Sequence, residues 1–456
     1  MIQNYPDAIN NPSLTGAERL AALKAHEDAG GRAKKPDRAG GTEINNHIHT
    51  IYSFSPYSPS AAALLARDAG LAAAGSVDHD SIAAAGEMLA ACEILGIGGC
   101  VGAELRVSMA GSGGQASAFA SRKINNPDSA GLAYMTVQGV PKQHVKKMAD
   151  FLAPIRGQRL KRSRAMTVSA NVFLREAGLA QIDFDADIVA RSKYAEGGGV
   201  TDRHILAAMA EKLIDKFGKG AQMPDALKAK FNIAAPAKLA ALLCDTENPH
   251  YLYDLLGLLK SEFLPRIFIQ PGEMECIPAE KLAAFAQSVN AIAAYPYLGD
   301  VGQSPTGDKK AEKFEDEYIE ELFAEVSRLG LRAITYMPPR NTPEQLRNIR
   351  KLAAQWGFME ISGVDINSSR QSFNCPEVLS DECRHLIDTT WALIAHERLA
   401  SADERHALFS AENPLAAMPL SERIACYAKF GKRLDLRRPD ESAAQIALEI
   451  EKGDIT

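Results

Sequence analysis

Between Thr42 and Glu104 short apolar runs alternate with helical stretches, and each run stops at a polar group suited to bind a metal or move a proton. Glu43 to His49 reads as a strand ending in His47-Ile48-His49, and residues 58–69 read as a helix that Ser58-Pro59 starts. Ala73 to Val77 is a second strand, followed by Asp78-His79-Asp80, and residues 81–95 form the next helix. Ile97 to Ala103 is a third strand, followed by Glu104. Strand–helix alternation with short connections predicts a parallel sheet covered by helices, and such folds gather their sites at the carboxyl ends of the strands. Residues two apart in a strand share a face, so His47 and His49 aim two imidazoles at one point, half of a metal site. His-x-His also arises by accident on edge strands. Three polar clusters at the same end of one sheet favour the metal.

The chain before Thr42 is expected to be an accessory arm (residues 1–41), with a helix from Ala17 to Ala29 capped by Thr15 and a linker from Arg32 to Gly41. After Glu104 the alternation breaks. Residues 108–130 are rich in Ser, Gly and Ala, and 142–260 are helical in pattern, which predicts an inserted helical cap over residues 119–262. Its basic run, Lys146, Lys147, Arg159, Lys161, Arg162 and Arg164, reads either as a solvated helix face or as a lid that attracts an anion. Thr201 caps a helix whose first turn holds His204, where the positive helix end keeps an imidazole neutral.

Alternation resumes with expected strands at Arg266–Gln270, Ala291–Tyr295, Ala333–Met337 and Phe358–Val364, the last leading into Asp365-Ile366-Asn367. Residues 42–118 and 263–373 thus read as two halves of one sheet domain, and 374–456 as a C-terminal helical region. In that region His385, His396 and His406 are expected to cap or pack rather than ligate.

With 46% hydrophobic and 24% charged residues the composition is that of a globular protein, and a net charge of −6 argues against a nucleic-acid-coating surface. The N-terminus lacks the basic-then-apolar order of a signal peptide, and no apolar run approaches the roughly 20 residues that span a bilayer. Seven scattered cysteines with no Cys-x-x-Cys pair suit a reducing cytoplasm, and the ligands of any bound metal are not expected to be thiolates. The expected partner is a small phosphorylated substrate, with no membrane and no nucleic acid.

Together these residues resemble the PHP superfamily, the polymerase and histidinol phosphatase metal-dependent phosphoesterases. The resemblance covers about residues 42–370 and rests on His47-Ile48-His49-Thr50-Ile51-Tyr52-Ser53, Val77-Asp78-His79-Asp80, Gly102-Ala103-Glu104 and Gly363-Val364-Asp365-Ile366-Asn367. The helix start Thr201 to His204 is similar to that of the family's nucleotide phosphatases. The resemblance implies an α/β fold, a distorted (β/α)7 TIM-like barrel with an inserted helical subdomain and a C-terminal helical extension. It implies two or three divalent ions (Zn, Mn, Fe or Mg), which the departures below widen to one to three. His47, His49, Glu104 and Asp365 would hold one ion, with Glu104 bridging to a second; His79 and Asn367 would lie on the third-ion side, and His204 would serve the second.

Three positions depart from the family pattern. Phe54 and Ser55 stand where many members carry Asp or His, Tyr295 replaces the His of Ala-His-Pro, and Asn367 replaces a final His. These losses predict one tight ion and weaker further positions. Hydrolysis of a small phosphomonoester or nucleotide by a metal-bound hydroxide is the expected chemistry. Asp78 and His79 are the candidate acid–base groups, Asp78 as an orienting neighbour. Arg203, Arg340 and Arg370 are candidate phosphate contacts. The alternatives are a metal-dependent hydrolase of a non-phosphate bond, or a degenerate barrel kept for binding or regulation.

Overall fold

The computed structural model describes residues 6–31, 42–111, 117–301 and 313–453, so the expected linker at Arg32–Gly41 lies outside the described residues. Seven strands form one sheet in sequence order: β1 (Ile44–Ile48), β2 (Ala73–His79), β3 (Gly98–Ser108), β4 (Leu132–Gln138), β5 (Ile292–Tyr297), β6 (Ala333–Tyr336) and β7 (Met359–Ser362). Pairing is parallel except on the two sides of β4, which runs antiparallel to both β3 and β5. The sheet closes on itself through a bridge between Ile48 and Ile366, with His49 N donating to Ile366 O at 2.9 Å and Ile366 N to His47 O at 3.1 Å. This is the distorted TIM-like barrel.

Helices pack around it where the alternation places them. They are α1 (Gly16–Asp28), α2 (Pro59–Asp68), α3 (Ala85–Leu95), α4 (Val145–Glu176), α5 (Asp202–Phe217), α6 (Tyr251–Glu262), α7 (Ala279–Ser288), α8 (Ile319–Arg328), α9 (Pro343–Trp356), α10 (His385–Ala402), α11 (Leu420–Arg433) and α12 (Pro439–Glu451), with two further cap helices, Gln222–Phe231 and Ala237–Cys244, and shorter turns between them. Thr15 and Glu18 form a reciprocal capping box at the start of α1, and Thr342 with Gln345 does the same for α9. Ser58 caps α2 with Pro59 in its first turn, as its sequence predicts.

Two strand assignments differ from expectation. Arg266–Gln270 is not a strand. Leu264–Ile267 is a helical turn, and Phe263, Leu264 and Ile267 are buried in the cap's own apolar cluster. A short apolar run has no period of its own, and here the cap rather than the sheet offers it a surface to bury against. The strand in fourth place is β4, inside the stretch read as cap. It alternates the buried Ala133, Met135 and Val137 with Tyr134 and Thr136, so its outer face joins the helical layer while the other face turns inward. The long helical insertion therefore enters between β4 and β5.

Barrel and cap have separate apolar clusters, and α4 belongs to both. Met148, Leu152 and Ile155 sit in the barrel layer, whereas Met166, Ala170 and Leu174 sit in the cap. The C-terminal helices close the amino-terminal end of the barrel. Ala392, Leu393 and Ile394 of α10 pack against Ile44, Ala73, Cys100, Ala294, Ala333 and Met359. Polar contacts fix the plug: Asn46 Nδ2 reaches Thr390 Oγ1 at 2.8 Å, and Val101 N donates to Glu397 Oε2 at 2.8 Å. His396 is buried there, accepting from Leu408 N at 2.9 Å, and His385 Nε2 lies 3.2 Å from Glu360. All seven cysteines are free thiols. Among the described residues no helix is long and apolar enough to cross a membrane.

Candidate metal centre

At the carboxyl end of the barrel, β1 carries an irregularity that shapes the site. Its register with β2 runs Ile44 to Ala73 and Asn45 to Ala74, then jumps to Ile48 opposite Ser76, so β1 holds one extra residue between Asn45 and Ile48. Such bulges re-aim side chains at barrel rims. Here Asn45 Oδ1 takes the displaced His47 N–H at 2.9 Å, and Asn45 Nδ2 donates to Val364 O. Gly363 makes the space, because a Cβ on it would stand 2.5 Å from the Cβ of His47.

The result is convergence. His47, His49 and Glu104 present one ligand atom each within 4.8 Å of one another, all three buried. Glu104 Oε2 lies 3.9 Å from both His47 Nε2 and His49 Nε2 and 3.1 Å from His79 Nδ1. Asp365 Oδ1 lies 3.3 Å from His49 Nε2. Glu104 is not the last residue of its strand, as expected from sequence. It is the last position at which β3 pairs with β2, opposite His79, and β3 continues to Ser108 alongside β4.

The electrostatics suit a cation. Burial holds the His47 imidazole down at about 4, so it is a neutral donor at physiological pH. Burial pushes the Glu104 carboxyl up to about 7. For Asp365 burial works upward, but the charges of His49 and His47 outweigh it and hold the carboxylate well below its usual range. For His49 burial works downward, yet Asp365 and then Glu104 outweigh it, and its pKa is raised. Between two carboxylates positive charge is favoured, and the imidazole responds. His49 Nε2 and His79 Nδ1 are both buried and face the carboxylate oxygens of Asp365 and Glu104 at 3.3 and 3.1 Å, without well-formed hydrogen bonds among the described residues, an arrangement that a shared ion would complete. The neutral His47, His49 once an ion displaces its proton, and two carboxylates form a donor set that fits Zn²⁺ and the harder transition metals.

The other predicted residues occupy distinct places. Asp78 is fully committed: it accepts Thr50 N at 2.7 Å, Thr50 Oγ1 at 2.6 Å and Ser53 Oγ at 2.5 Å. Ser53 Oγ in turn lies 3.2 Å from His49 Nδ1, so Asp78 orients His49 through Ser53. Asn367 Nδ2 donates to Asp365 Oδ1 at 2.6 Å and steadies that carboxylate. His204 caps its own helix, Nδ1 accepting Thr201 N at 3.0 Å, and its ring meets the edge of Phe54 at 4.9 Å. It is outside the cluster of converging ligand atoms. Tyr295 faces the outer layer, where its hydroxyl lies 3.1 Å from Glu315 Oε1, and it does not reach the barrel mouth as a phenolate. Phe54 adopts a left-handed backbone (φ 78°), a costly geometry for an aromatic residue, directly after the ligand-bearing segment.

The arginines sort differently from expectation. Arg203 Nη1 donates to Asn367 O at 3.0 Å and bears on Asp365, at the rim of the centre. Arg340 instead donates to Leu298 O at 3.2 Å and lies over Phe314. Arg370 forms a fork with Asp254 of α6, Nη2 to Oδ2 at 2.6 Å, so it fastens cap to barrel. Two further arginines bear on His79: Arg106, which sequence reasoning passed over, and Arg159, which it held within the basic run. Arg106 follows Glu104 by two residues on the same face of β3, and Arg159 comes from the basic run of α4. Arg159 and Arg162 are buried, so this part of the run is not a solvated face, while Lys146, Lys161 and Arg164 are exposed. Arg159 Nη1 pairs with Asp80, and Arg162 forms a fork with Glu275 at 2.8 and 3.0 Å. The signal available in the sequence was a lone arginine two places past the glutamate.

No family model matches the chain, and no curated protein matches it. Among solved structures the chain is similar to a Bifidobacterium adolescentis protein provisionally named a metal-dependent phosphoesterase, at 18% identity and a TM-score of 0.46, over 76% of this chain and 96% of that one. It is also similar to an amidohydrolase from Chromobacterium violaceum with bound sulfate and no metal, at 17% identity and a TM-score of 0.44, over 72% and 89%. What the site can do follows from its own side chains.

Proposed function

We propose that the protein is a metal-dependent hydrolase of the PHP type that cleaves a small phosphomonoester or nucleotide. The observation that carries this reading is the meeting of His47, His49 and Glu104 ligand atoms within 4.8 Å, with Asp365 against His49. These four residues would hold one divalent ion. When bound, such an ion supplies Lewis acidity and a water whose pKa is lowered towards neutrality.

The chain's own groups do the rest. Asp78 and Ser53 fix the rotamer of His49, Asn367 fixes Asp365, and burial keeps His47 neutral and free to donate. His79, beside Glu104 and neutral because burial pushes its pKa well below the usual value, is placed to pass a proton at the centre. Guanidinium groups crowd one side of the site, and a phosphoryl group calls for that positive wall more than an amide does.

Metal analysis of purified protein, with a phosphomonoester panel in Mn²⁺, Zn²⁺ or Mg²⁺, tests the reading. Phosphate release that is lost in His49→Ala and Asp365→Ala supports it. Bound metal with cleavage of an ester or amide and no phosphate release refutes the phosphoester assignment. Absence of both metal and turnover refutes the enzyme.

A further inference from the structure

Beyond the Glu104 carboxylate the barrel interior changes character. The residue opposite Glu104 on β4 is Thr136, and the one beyond that on β5 is Ala294. Neither is a strong metal ligand, and Tyr295 points away into the helical layer. Among the described residues, β4 and β5 give Glu104 no ligand with which to bridge a second cation. It has arginines instead.

Arg106 is 3% exposed, and its Nε, Nη1 and Nη2 all lack a hydrogen bond among the described residues. The carboxylate that approaches it, Glu275 Oε1, stands 3.7 Å from Nη2 and is already held in a fork by Arg162. Arg159, 3% exposed, leaves its Nε without a hydrogen bond while another nitrogen pairs with Asp80. Thr136 Oγ1 is a further buried, unpartnered hydroxyl, diagonal to Arg106 across the β3–β4 pair. Four guanidinium groups meet here, Arg106, Arg156, Arg159 and Arg162, against three carboxylates, Asp80, Asp202 and Glu275. A buried guanidinium with five unused donors is costly unless an anion completes it.

We propose that Arg106, Arg159 and Thr136 form an anion subsite beside Glu104, which grips the non-ester oxygens of the substrate's phosphate, so that guanidinium charge stands where a second divalent ion would otherwise be needed. This deepens the phosphoesterase reading and rests on it for the identity of the substrate. The fork of Arg106 offers paired N–H groups at the spacing of two phosphate oxygens, which a compact ammonium does not. The same positive charge disfavours a second metal next to Glu104. The protein then works with a single tightly held ion.

The test separates the anion subsite from the ion. Isothermal titration of chelator-stripped protein with inorganic phosphate reads the guanidinium site alone. Wild-type protein binds phosphate, Arg106→Met weakens that binding by at least about tenfold, and Arg106→Lys falls between. Metal analysis of the reloaded wild-type protein gives one equivalent per chain. Should Arg106→Met fail to fold, Arg106→Lys and Thr136→Val carry the measurement, each weakening phosphate binding while the stripped protein keeps its cooperative unfolding. Phosphate affinity unaltered in these variants, or two tightly held ions in wild type, overturns the proposal. Phosphate binding that depends on Arg106 in a protein that releases no phosphate from any ester upholds the subsite and sinks the phosphoesterase reading alone.

Discussion

His49 Nε2 and Asp365 Oδ1 lie 3.3 Å apart across the seam where the barrel closes, one just past β1 and the other just past β7. Their contact is made only when the sheet is complete, so the ion site and the fold are one equilibrium. His49→Ala and Asp365→Ala are expected to drop metal content below one equivalent and to lower turnover by about 10³-fold or more. Elemental analysis and steady-state rates check both, and full occupancy in either variant defeats the assignment.

The site sets the buried carboxyl of Glu104 and the partly exposed carboxylate of Asp365 on the two sides of His49. A bound ion is expected to stabilise the fold by about 3 kcal/mol when free metal exceeds its Kd a hundredfold. Chelation should therefore lower the melting temperature by several degrees, with recovery on adding metal back. A melting curve indifferent to chelator contradicts this.

Asp78 acts on His49 through Ser53. Ser53→Ala and Asp78→Asn are expected to weaken metal affinity about 10–100-fold, without abolishing it as loss of a ligand does. Competition with a chromogenic chelator gives the affinity. Equal losses for Asp78→Asn and His49→Ala would make Asp78 a ligand after all.

Arg370 and Asp254 tie the cap to the loop after β7, and the Asp254 side chain is only 5% exposed. Arg370→Ala leaves a buried carboxylate with Asn248 as partner and is expected to cost about 1–3 kcal/mol in stability. If Arg370 gripped substrate instead, KM would climb while the denaturation midpoint stayed put. Urea denaturation and KM measured on the same variant distinguish the two roles.

Glu397 is buried in the plug beneath the barrel, and burial pushes its carboxyl up to about 8. An acid whose pKa is higher in the folded state binds more protons there than in the unfolded chain. Its contribution is complete below the unfolded value near 4.5 and is lost as pH rises through about 8. Glu397→Gln is expected to flatten the fall in stability between pH 5 and pH 8 relative to wild type. Identical slopes for the two proteins would count against a protonated Glu397.

The barrel was legible because its strands end in chemistry. His47, His49, His79, Glu104 and Asp365 announce themselves as polar groups closing apolar runs, and all five meet. The fourth strand was missed. Leu132–Gln138 carries a local signal, a period-two run between Gly131 and Gly139, but it stands between a Ser-, Gly- and Ala-rich stretch and a long helical one and was absorbed into them. Arg266–Gln270 failed for the converse reason: it looks apolar enough for a sheet, but only Ile267 is buried, and it packs into the helical cap. Arg106 was missed because an arginine in a strand carries no pattern. Only its burial and its idle donors make it conspicuous, and both are tertiary facts.

The α10 plug has a consequence for how the chain comes off the ribosome. The apolar floor formed by Ile44, Ala73, Ala333 and Met359 stays wet until residues near 390–395 emerge from the exit tunnel. Every strand is made before its floor exists, so nascent chains stalled after β7 should be sticky and protease-sensitive.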